Sequence, residues 1–384
     1  STPSMTVRSF SARPARGLGL CAAALSGTLS VHAASPVDEP IETLVVEGTR
    51  LPMPVREVGS SVTVLTEEDL ELAGFDFLPD ALARVPGVTV NQNGAFGGTS
   101  TVRIRGATSE QTLVLLDGVP VNDPASPGGG FDFARIDPAQ LERVEVLRGP
   151  HSTLWGTDAI GGVVSIVTRR PEPGLGGAAF AEGGSFATIR AGASLEGGSD
   201  RGDFRLGASG MSSDGISRAD EDAGNTEADG YESRSLNARG GVELGGGARL
   251  AATVLWTDAD TDFDSCDFTA RGSSADPDER TESEEFTGHV ALEVPTLDGR
   301  LEHLLVAGHA RIDRQNFTDG SPGFAAEGRR DLYRYQGTWR AHERARIAFG
   351  AEREEVSADD ADGAIDGYFA LGELKPLDDL TVSA

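Results

Sequence analysis

Apolar and polar residues alternate with a period of two along the chain after Pro171. Residues 187–195 show the pattern, with Ile189 on one face and Arg190 on the other. A period of two is typical of a β-strand with one apolar face. The same alternation occurs at residues 235–244, 333–340 and 346–352. The pattern predicts about ten antiparallel strands over residues 174–384.

Two architectures are compatible with these strands. If the charged faces line an aqueous lumen and the apolar faces meet lipid, the strands form a transmembrane β-barrel. If the apolar faces are buried against a second sheet, the strands form a soluble β-sandwich. No run of about 18 apolar residues follows the N-terminal leader, so the sequence predicts no transmembrane helix. Barrel strands, in contrast, leave only a weak trace in mean hydropathy.

The predicted connections between the strands alternate in length. The short turns are predicted at residues 197–202, 245–247 and 297–300. The long loops, which are acidic and rich in glycine, are predicted at residues 212–231, 257–285 and 316–330. Outer-membrane barrels have short periplasmic turns and longer extracellular loops. The alternation therefore favours the barrel and predicts that the long loops face the outside of the cell.

Residues 55–172 have a different pattern, which predicts a compact α+β domain. Thr66 precedes three acidic residues and is predicted to be the N-terminal cap of a helix. A second helix is predicted over residues 78–85, and Pro86 and Gly87 end it. Short strands are predicted at residues 62–65, 88–90, 101–105, 112–116, 144–147 and 162–168. Several of them are continuous apolar runs, which indicates strands that are buried on both faces.

Residues 1–54 divide into a leader and a flexible arm. Residues 1–33 combine arginines, an apolar stretch and a small-residue cleavage site, which predicts a secretory signal peptide. Residues 34–54 are polar and contain several prolines, apart from the apolar run Leu44-Val45-Val46. A β-prone run in a flexible arm suits strand addition to the sheet edge of a partner protein. A first strand of the following domain is the alternative.

Charge and composition exclude several classes of function. The formal net charge of −28 excludes a protein that binds nucleic acid through phosphate contacts. Of the two cysteines, Cys21 lies in the leader and Cys266 in an acidic region, so the mature chain has no disulfide framework or thiolate zinc site. The histidines lack metal-ligand spacing, and neither a Gly-x-Ser-x-Gly motif nor a phosphate-binding loop occurs. We therefore expect no enzyme activity, no catalytic residues and no cofactor.

Long, ordered motifs resemble the plug domains of TonB-dependent outer-membrane receptors. The motifs are Leu82-Ala83-Arg84-Val85-Pro86-Gly87-Val88, Ile104-Arg105-Gly106, Val114-Leu115-Leu116-Asp117-Gly118-Val119, Glu142-Arg143-Val144-Glu145-Val146-Leu147-Arg148-Gly149-Pro150 and Trp155-Gly156-Thr157-Asp158-Ala159-Ile160-Gly161-Gly162-Val163-Val164. The segment Glu42-Thr43-Leu44-Val45-Val46 is similar to the TonB box of this family, which favours the partner-binding interpretation of the arm. The chain is most similar to the cobalamin-receptor branch of the family. The similarity is carried by the residue sequence of the box and by Gln92-Asn93-Gly94 with its spacing to Ile104.

The resemblance implies a fold and a location. Residues 55–172 are expected to form an α+β plug domain inside an antiparallel transmembrane β-barrel. The location implied is the outer membrane of a Gram-negative bacterium. A barrel that encloses a plug of this size has about 22 strands. Residues 173–384 are therefore expected to be the N-terminal part of the barrel, with residues 34–54 as the arm that carries the TonB box.

The resemblance also implies active transport without catalysis. A ligand is expected to bind from outside, to the plug apices and the barrel loops. TonB, part of the inner-membrane energy-coupling complex, is then expected to pair with Glu42, Thr43, Leu44, Val45 and Val46 as an added strand. The implied ligand is cobalamin or another corrinoid, and the implied receptor is a monomer in outer-membrane lipid. A ferric siderophore is the alternative ligand, and an outer-membrane adhesin or calcium-binding surface protein is the alternative from another class.

The candidate ligand contacts lie in or beside two glycine-rich apex loops of the predicted plug, residues 92–101 and 123–131. Glycines let the backbone approach a bulky ligand closely, and ordinary flexible loops are the alternative. The candidates are Gly98, Thr99, Ser100, Thr101, Asn122, Gly128 and Gly129, of which the serine and the threonines match positions in the cobalamin branch. The chain departs from that branch at Gly98, which replaces an amide side chain, and by one additional residue between Asn122 and Arg143.

Acidic residues crowd the first two predicted long loops. Calcium takes about six to eight oxygen ligands, and flexible carboxylate loops suit it. The resemblance implies calcium ligands at Glu227, Asp229, Asp262, Asp264 and Asp278. Ser217 stands where the cobalamin branch has an aspartate, which weakens one site. A solvated acidic rim is the alternative to a calcium site.

Four arginines of the predicted plug are candidate structural charges. They are Arg103, Arg105, Arg143 and Arg148. We expect them to pair with Glu142, Glu145, Asp117 and acids of the barrel, and so to lock the plug to the barrel. Binding of an anionic siderophore is the alternative.

Overall fold

A five-stranded sheet is the centre of the smaller, N-terminal part of the molecule. The computed structural model describes residues 45–46, 48–72, 77–94, 96–126, 128–217, 228–264, 278–359, 361–377 and 380–383, all within one compact unit, Pro40–Ala384. The strands of this part are β1 (Val45–Val46), β2 (Met53–Pro54), β3 (Ser61–Thr66), β4 (Val88–Gln92), β5 (Ser100–Ile104), β6 (Thr112–Leu116), β7 (Val119–Pro120), β8 (Leu141–Arg148) and β9 (Gly162–Thr168). The sheet has the order β3-β8-β9-β6-β7, in which β6 and β9 run parallel and the other neighbours antiparallel.

Strands β6 and β9 are buried at every position. Val114 and Ile166 belong to an apolar cluster on one face of the sheet, whereas Leu113 and Val163 belong to a second cluster on the other face. The continuous apolar runs of these strands are thus explained by burial on both sides, as the sequence predicted.

Three short helices accompany this sheet: α1 (Glu67–Leu72), α2 (Leu78–Leu82) and α3 (Ser152–Trp155). The predicted cap of α1 is confirmed, because Thr66 N donates to Asp69 Oδ2 at 2.9 Å and Asp69 N donates to Thr66 Oγ1 at 3.2 Å. Helix α2 ends three residues before the predicted Val85, although Val85 is still buried at 3% exposure. In the described ranges, none of the helices has the length and apolar character that crossing a bilayer requires.

The second part of the molecule is one sheet of eleven antiparallel strands in sequence order. The strands are β10 (Gly174–Gly183), β11 (Ile189–Ser199), β12 (Gly202–Ser213), β13 (Tyr231–Gly245), β14 (Ala248–Phe263), β15 (Glu279–Thr296), β16 (Leu301–Thr318), β17 (Ser321–His342), β18 (Ala345–Ala358), β19 (Ala361–Leu377) and β20 (Leu380–Ser383). Their number is slightly above the predicted one. The predicted faces are confirmed: Ile189 is 65% and Tyr333 53% exposed on the outer face, and Arg334 is 8% exposed on the inner face.

Two of the predicted long loops are wrong in their bounds. Residues 257–263 and 279–285 pair with each other as the ends of β14 and β15, so both ends of this predicted loop are strand. The predicted loop 316–330 is mostly strand, because β16 and β17 meet at a two-residue turn, Asp319 and Gly320. Both turn residues have positive φ, 48° and 70°, which suits a tight hairpin. The prediction failed because strand ends beyond the lipid need no apolar face, so a polar composition does not exclude backbone pairing.

The plug, defined here as β3–β9 with its helices, lies against the inner face of the large sheet. The arm that precedes it lies at the end with the short turns, where Arg346 Nη1 donates to Pro52 O at 3.2 Å and Lys375 Nζ lies 2.5 Å from Glu57 Oε2. The β4–β5 hairpin tip approaches the opposite end, where Gly97 meets Tyr231. By the usual asymmetry of outer-membrane barrels, the arm is at the periplasmic end and the hairpin tip at the extracellular end.

Candidate functional site

The end of the predicted TonB box is docked on the plug. Val45 and Val46 form β1, which pairs antiparallel with β2 at Pro54 and Met53. The Val46 side chain is fully buried in a cluster with Leu113, Leu115, Leu147, Ala159 and Val163. The other predicted box residues, Glu42, Thr43 and Leu44, lie outside the described residues. Residues 45 and 46 therefore have to leave the plug before another protein can pair with them.

Hydrogen bonds continue this docking beyond the box. Gly48 N donates to Glu145 Oε2 at 3.0 Å, and Trp155 Nε1 donates to Gly48 O at 2.9 Å. Glu145 is fully buried, and Arg143 Nε donates to its other oxygen at 2.9 Å, so the carboxylate is neutralised inside the plug. A side chain at Gly48 would lie 2.9 Å from Leu147 Cδ1, which explains the glycine at this point of close approach.

Arg50 connects the arm with the plug and the barrel together. Its guanidinium pairs with Glu352 of β18 at 2.8 Å, and its Nε donates to Leu154 O at 2.6 Å. The guanidinium carbon lies 4.0 Å from the ring centre of Trp155 and 4.1 Å from that of Phe369. Desolvated cation–π contacts are worth about 2 kcal/mol each. The Arg50 side chain is therefore a tight anchor directly behind the docked box residues.

Sequence reasoning missed Arg50 and its partner. The inward position of Glu352 was visible in the alternation of β18, and Arg50 follows the box in sequence. Neither signal shows that the two residues meet across the interface, since they are separated by 302 positions. The backbone of Arg50 has φ 62°, an unfavourable value for a residue with a side chain.

The ion pairs between the plug and the barrel place the cations on the barrel side. Arg314 pairs with Asp123 at 2.8 Å, and Arg239 pairs with Asp117 at 3.2 Å. Barrel side chains also donate to main-chain carbonyls of the plug and the arm: Arg330 to Asn122 at 3.0 Å, Arg334 to Gly118 at 2.9 Å, Gln336 to Arg50 at 3.0 Å and Arg239 to Thr168 at 3.1 Å. Barrel arginines thus hold the plug.

The predicted lock made by plug arginines is wrong in its direction. Arg143 pairs with Glu142 and Glu145, as predicted, but both acids belong to the plug. Arg148 donates to Pro86 O and to Thr63 Oγ1, and Arg105 donates to Ser61 Oγ, all within the plug. Arg103 is exposed on β5. Local charge patterns could not reveal which domain supplies the cation, because both domains contain arginine and acids.

The predicted ligand residues of the first apex loop differ in accessibility. Thr99 is exposed and Thr101 half-buried, whereas Gly98 is buried. Ser100 is 1% exposed, its N donates to Asp132 Oδ1 at 2.8 Å, and its hydroxyl donates to Gly98 O at 2.9 Å. A Cβ at Gly98 would lie 2.1 Å from Asn93 O. The loop therefore offers the Thr99 side chain to a ligand and uses Ser100 to fix its own shape.

In the second apex loop, Asn122 works as an internal clamp. Its side chain is 2% exposed; it accepts from Val114 N at 2.8 Å and donates to Thr112 O at 3.0 Å and Gly129 O at 2.8 Å. Gly128 is exposed and Gly129 half-buried, each with φ 80°. The Asn122 amide is therefore engaged with backbone, and backbone at the two glycines is what this loop can present to a ligand.

The predicted calcium ligands are spread over three elements. Asp229 is buried before β13; Asp262 is on β14, where its N donates to Gly230 O at 2.9 Å; Asp264 accepts from Ser217 Oγ at 3.4 Å; and Asp278 precedes β15. Glu227 lies outside the described residues. Within the described ranges, no three His, Cys, Asp or Glu side chains group as a metal site would require. The calcium site therefore stays a prediction, because Glu227 and other acids of the two loops lie outside the described residues.

Comparisons with known proteins cover both the plug and the barrel strands. Residues 54–163 match the family described as TonB-dependent Receptor Plug Domain. The chain is 35% identical over 231 residues to the vitamin B12 transporter BtuB of Vibrio vulnificus, covering 58% of this chain and 36% of that protein. It is 28% identical over 320 residues to BtuB of Photobacterium profundum, covering 82% of this chain and 50% of that protein. The matches thus span half or less of these relatives.

Solved structures show the same fold. The siderophore receptor PirA from Acinetobacter baumannii superposes with a TM-score of 0.68 at 18% identity, covering 84% of this chain and 55% of that one. A ferric enterobactin receptor mutant (PfeA) from Pseudomonas aeruginosa, in complex with enterobactin, superposes with a TM-score of 0.65 at 18% identity, covering 84% and 57%. At this identity the likeness concerns the fold alone.

Proposed function

The chain carries the plug domain and barrel strands of a TonB-dependent receptor of the Gram-negative outer membrane, and from this premise we propose that it imports a corrinoid. The observation that carries the ligand class is the 35% identity to a vitamin B12 transporter over 231 residues. Cobalamin is the corrinoid we favour.

The docked box supports a coupling mechanism. Burying a valine side chain stabilises by about 1.5–3 kcal/mol, so undocking Val46 costs a similar free energy. Coupling free energies between two sites are typically about 1–3 kcal/mol. A coupling of this size offsets the burial of Val46 and shifts the arm towards release, whereas the contacts of Arg50 still have to break before the arm is free. TonB then pairs with the freed residues as an added strand and pulls.

A ferric siderophore is the second candidate ligand. It is favoured by the fold likeness to siderophore receptors, although that likeness is at 18% identity. Siderophore complexes are commonly anionic and are recognised by unpaired cations. Near the second apex loop, the described barrel cations Arg314 and Arg330 are already paired with Asp123 and Glu354. This pairing favours the uncharged ligand class.

The decisive experiment is equilibrium binding to the detergent-purified receptor. We expect cyanocobalamin to bind with a dissociation constant in or below the micromolar range, and ferric enterobactin not to bind at the same concentration. The reverse result assigns the receptor to siderophores. Binding of neither ligand, with TonB-independent attachment of cells to surfaces, assigns the chain to the adhesin class.

A further inference from the structure

A cavity of about 260 Å³ opens between the plug and the barrel at the extracellular end. Helix α2 and the β4–β5 hairpin tip form one wall, and the ends of β11 and β12 form the other. Its apolar lining consists of Phe77, Pro79, Phe96, Ala134, Phe186 and Ile216. None of the candidate ligand residues chosen from the sequence, except Ser100, lines it.

The barrel wall of the cavity presents two large apolar side chains to solvent. Phe186 is 54% and Ile216 48% exposed. Phe186 and Ala187 have φ 56° and 50°, values that are unfavourable for residues with side chains. Asp214 N donates to Phe186 O at 2.9 Å and so fixes this conformation. Two consecutive residues with positive φ are typical of a tight hairpin turn, here the turn between β10 and β11, so the hairpin geometry fixes the position of Phe186 at the cavity.

The plug wall is a rigid aromatic stack. The ring of Phe96 packs edge-on against Phe77, with centroids 4.9 Å apart, and Phe77 packs against Tyr231 at 5.5 Å. A Cβ at Gly97 would lie 2.1 Å from the Tyr231 ring, so the glycine permits this close packing. Phe96 is thereby held at the cavity while its ring remains half-exposed.

The electrostatics of the cavity restrict its occupant. Among the described lining residues there is no Lys, Arg or His, and Asp80 is the one carboxylate. An anionic group would meet no compensating cation there and would lose its hydration. A flat, uncharged aromatic group can instead pack against Phe96 and Phe186 in offset or edge-on geometry. The volume suits a bicyclic aromatic group and is too small for a whole macrocycle.

We propose that this cavity binds the benzimidazole-type base of a complete corrinoid, while the macrocycle lies outside it towards Thr99. This assignment rests on the proposed corrinoid function and deepens it. It makes Phe96, Phe186 and Ile216 specificity-determining residues, which distinguish corrinoids that carry an aromatic base from those that lack it. The corrin ring and its amides remain outside the cavity and contribute binding that is independent of these residues.

The test compares cyanocobalamin with dicyanocobinamide, which has the same macrocycle and lacks the base. The purified receptor should bind cyanocobalamin at least about tenfold more tightly. Phe186→Ser should weaken cyanocobalamin binding by about tenfold and leave dicyanocobinamide binding unchanged. Unchanged cobinamide binding also shows that the variant is folded. Phe324→Ser, at a 61% exposed phenylalanine near the β16–β17 turn, is the matched control and should change neither affinity.

Two results would overturn the assignment in distinguishable ways. If wild-type receptor binds both corrinoids and Phe186→Ser weakens both equally or neither, the base lies elsewhere and only the cavity assignment fails. If wild-type receptor binds neither corrinoid, the corrinoid function itself fails, and the cavity assignment with it. Phe96→Ser should reproduce the selective loss, and Phe186→Trp should retain tight cyanocobalamin binding because it preserves an aromatic face.

Discussion

Arg50 of the arm and Glu352 of β18 form an ion pair in which the single nitrogen Arg50 Nη2 donates to both carboxylate oxygens, at 2.8 and 3.0 Å. Arg334 Nε binds the same carboxylate at 2.9 Å. Arg50, which lies four residues after Val46, is therefore attached to the barrel wall as well as to the plug. For the arm to be released, this contact has to break and the Val46 side chain has to leave its buried position.

Arg50→Gln should loosen the arm in the ligand-free receptor. Hydrogen bonds to charged groups contribute about 1.5–3 kcal/mol, so we expect affinity for the C-terminal domain of TonB to rise about tenfold or more without ligand. Hydrogen exchange of residues 45–54 should accelerate in parallel. Arg353→Gln, which removes the exposed Arg353–Asp366 pair on the same strand, is the control and should change neither quantity. Unchanged TonB affinity in Arg50→Gln would show that the anchor does not restrain the arm.

Leu44→Pro should abolish uptake and leave ligand binding intact. Proline cannot donate to a strand ladder, so the variant loses the ability to add a strand to TonB. Leu44→Val keeps the β-propensity of the position and should transport normally. Radiolabelled cyanocobalamin uptake and surface binding by the same cells provide the measurement. Normal uptake by the proline variant contradicts the assignment of residues 42–46 as the TonB box.

His151 should make the plug less stable at acidic pH. Burial lowers the pKa of His151 below its ordinary value of 6.5. Nδ1 donates to the Gly149 carbonyl at 2.9 Å, and in the neutral ring, which the lowered pKa favours, Nε2 accepts from Ser60 Oγ at 3.2 Å. Since the unfolded plug then binds more protons, its stability falls as the pH drops below about 6.5.

The measurement is hydrogen exchange of residues 141–148 in β8 between pH 7.5 and pH 5, corrected for the intrinsic pH dependence of exchange. We expect wild-type protection to fall with the pH and His151→Gln to show a smaller fall, because glutamine does not titrate. Equal pH dependence in both proteins would exclude His151 as the source. Exchange of β16 in the same samples reports whether the barrel has changed.

Gly97→Ala should disturb the hairpin tip far more than Gly106→Ala. Both glycines have positive φ, 73° and 79°, so both variants carry a similar backbone cost of about 1–2 kcal/mol. A Cβ at Gly97 clashes with Tyr231 at 2.1 Å, whereas nothing lies within 4 Å of a Cβ at Gly106. Overpacking adds about 1–3 kcal/mol. Cyanocobalamin affinity should fall in Gly97→Ala and remain near wild type in Gly106→Ala; equal effects would exclude the clash as the cause.

Calcium dependence is testable although the described carboxylates alone do not assemble a site. If Glu227 completes one with Asp229, corrinoid affinity should fall when calcium is chelated, and Asp229→Asn should lose most of that dependence. Magnesium should not replace calcium, because it is a smaller ion that requires nearly octahedral coordination. Equal affinity with excess chelator and with millimolar calcium identifies these acids as a solvated rim.

The alternation of side chains allowed the faces of the large sheet to be predicted. Successive residues of a strand point to opposite faces, so Ile189 points to the lipid and Arg190 to the lumen. The extended ends of β14–β17 could not be predicted in this way. Outside the lipid both faces of the sheet meet water. Asp258 and Glu284 therefore stand opposite each other in the backbone register of β14 and β15 although neither strand has an apolar outer face there. The candidate site was harder still. The cavity beside Phe186 and the anchor at Arg50 arise from residues that meet only after the plug is seated.

Arg334, Arg330 and Arg239 of the barrel hold the plug through main-chain carbonyl oxygens, at Gly118, Asn122 and Thr168, beside the ion pairs at Asp117 and Asp123. Every residue of a chain carries such an oxygen, whatever its side chain. These three contacts therefore depend on the path of the plug backbone and not on the side chains at those positions, whereas the two ion pairs require the aspartates. Apex-loop residues that make neither kind of contact can change over evolutionary time without altering the fit of the plug to the barrel, and a plug transplanted into a related barrel should bind there if both aspartates are kept.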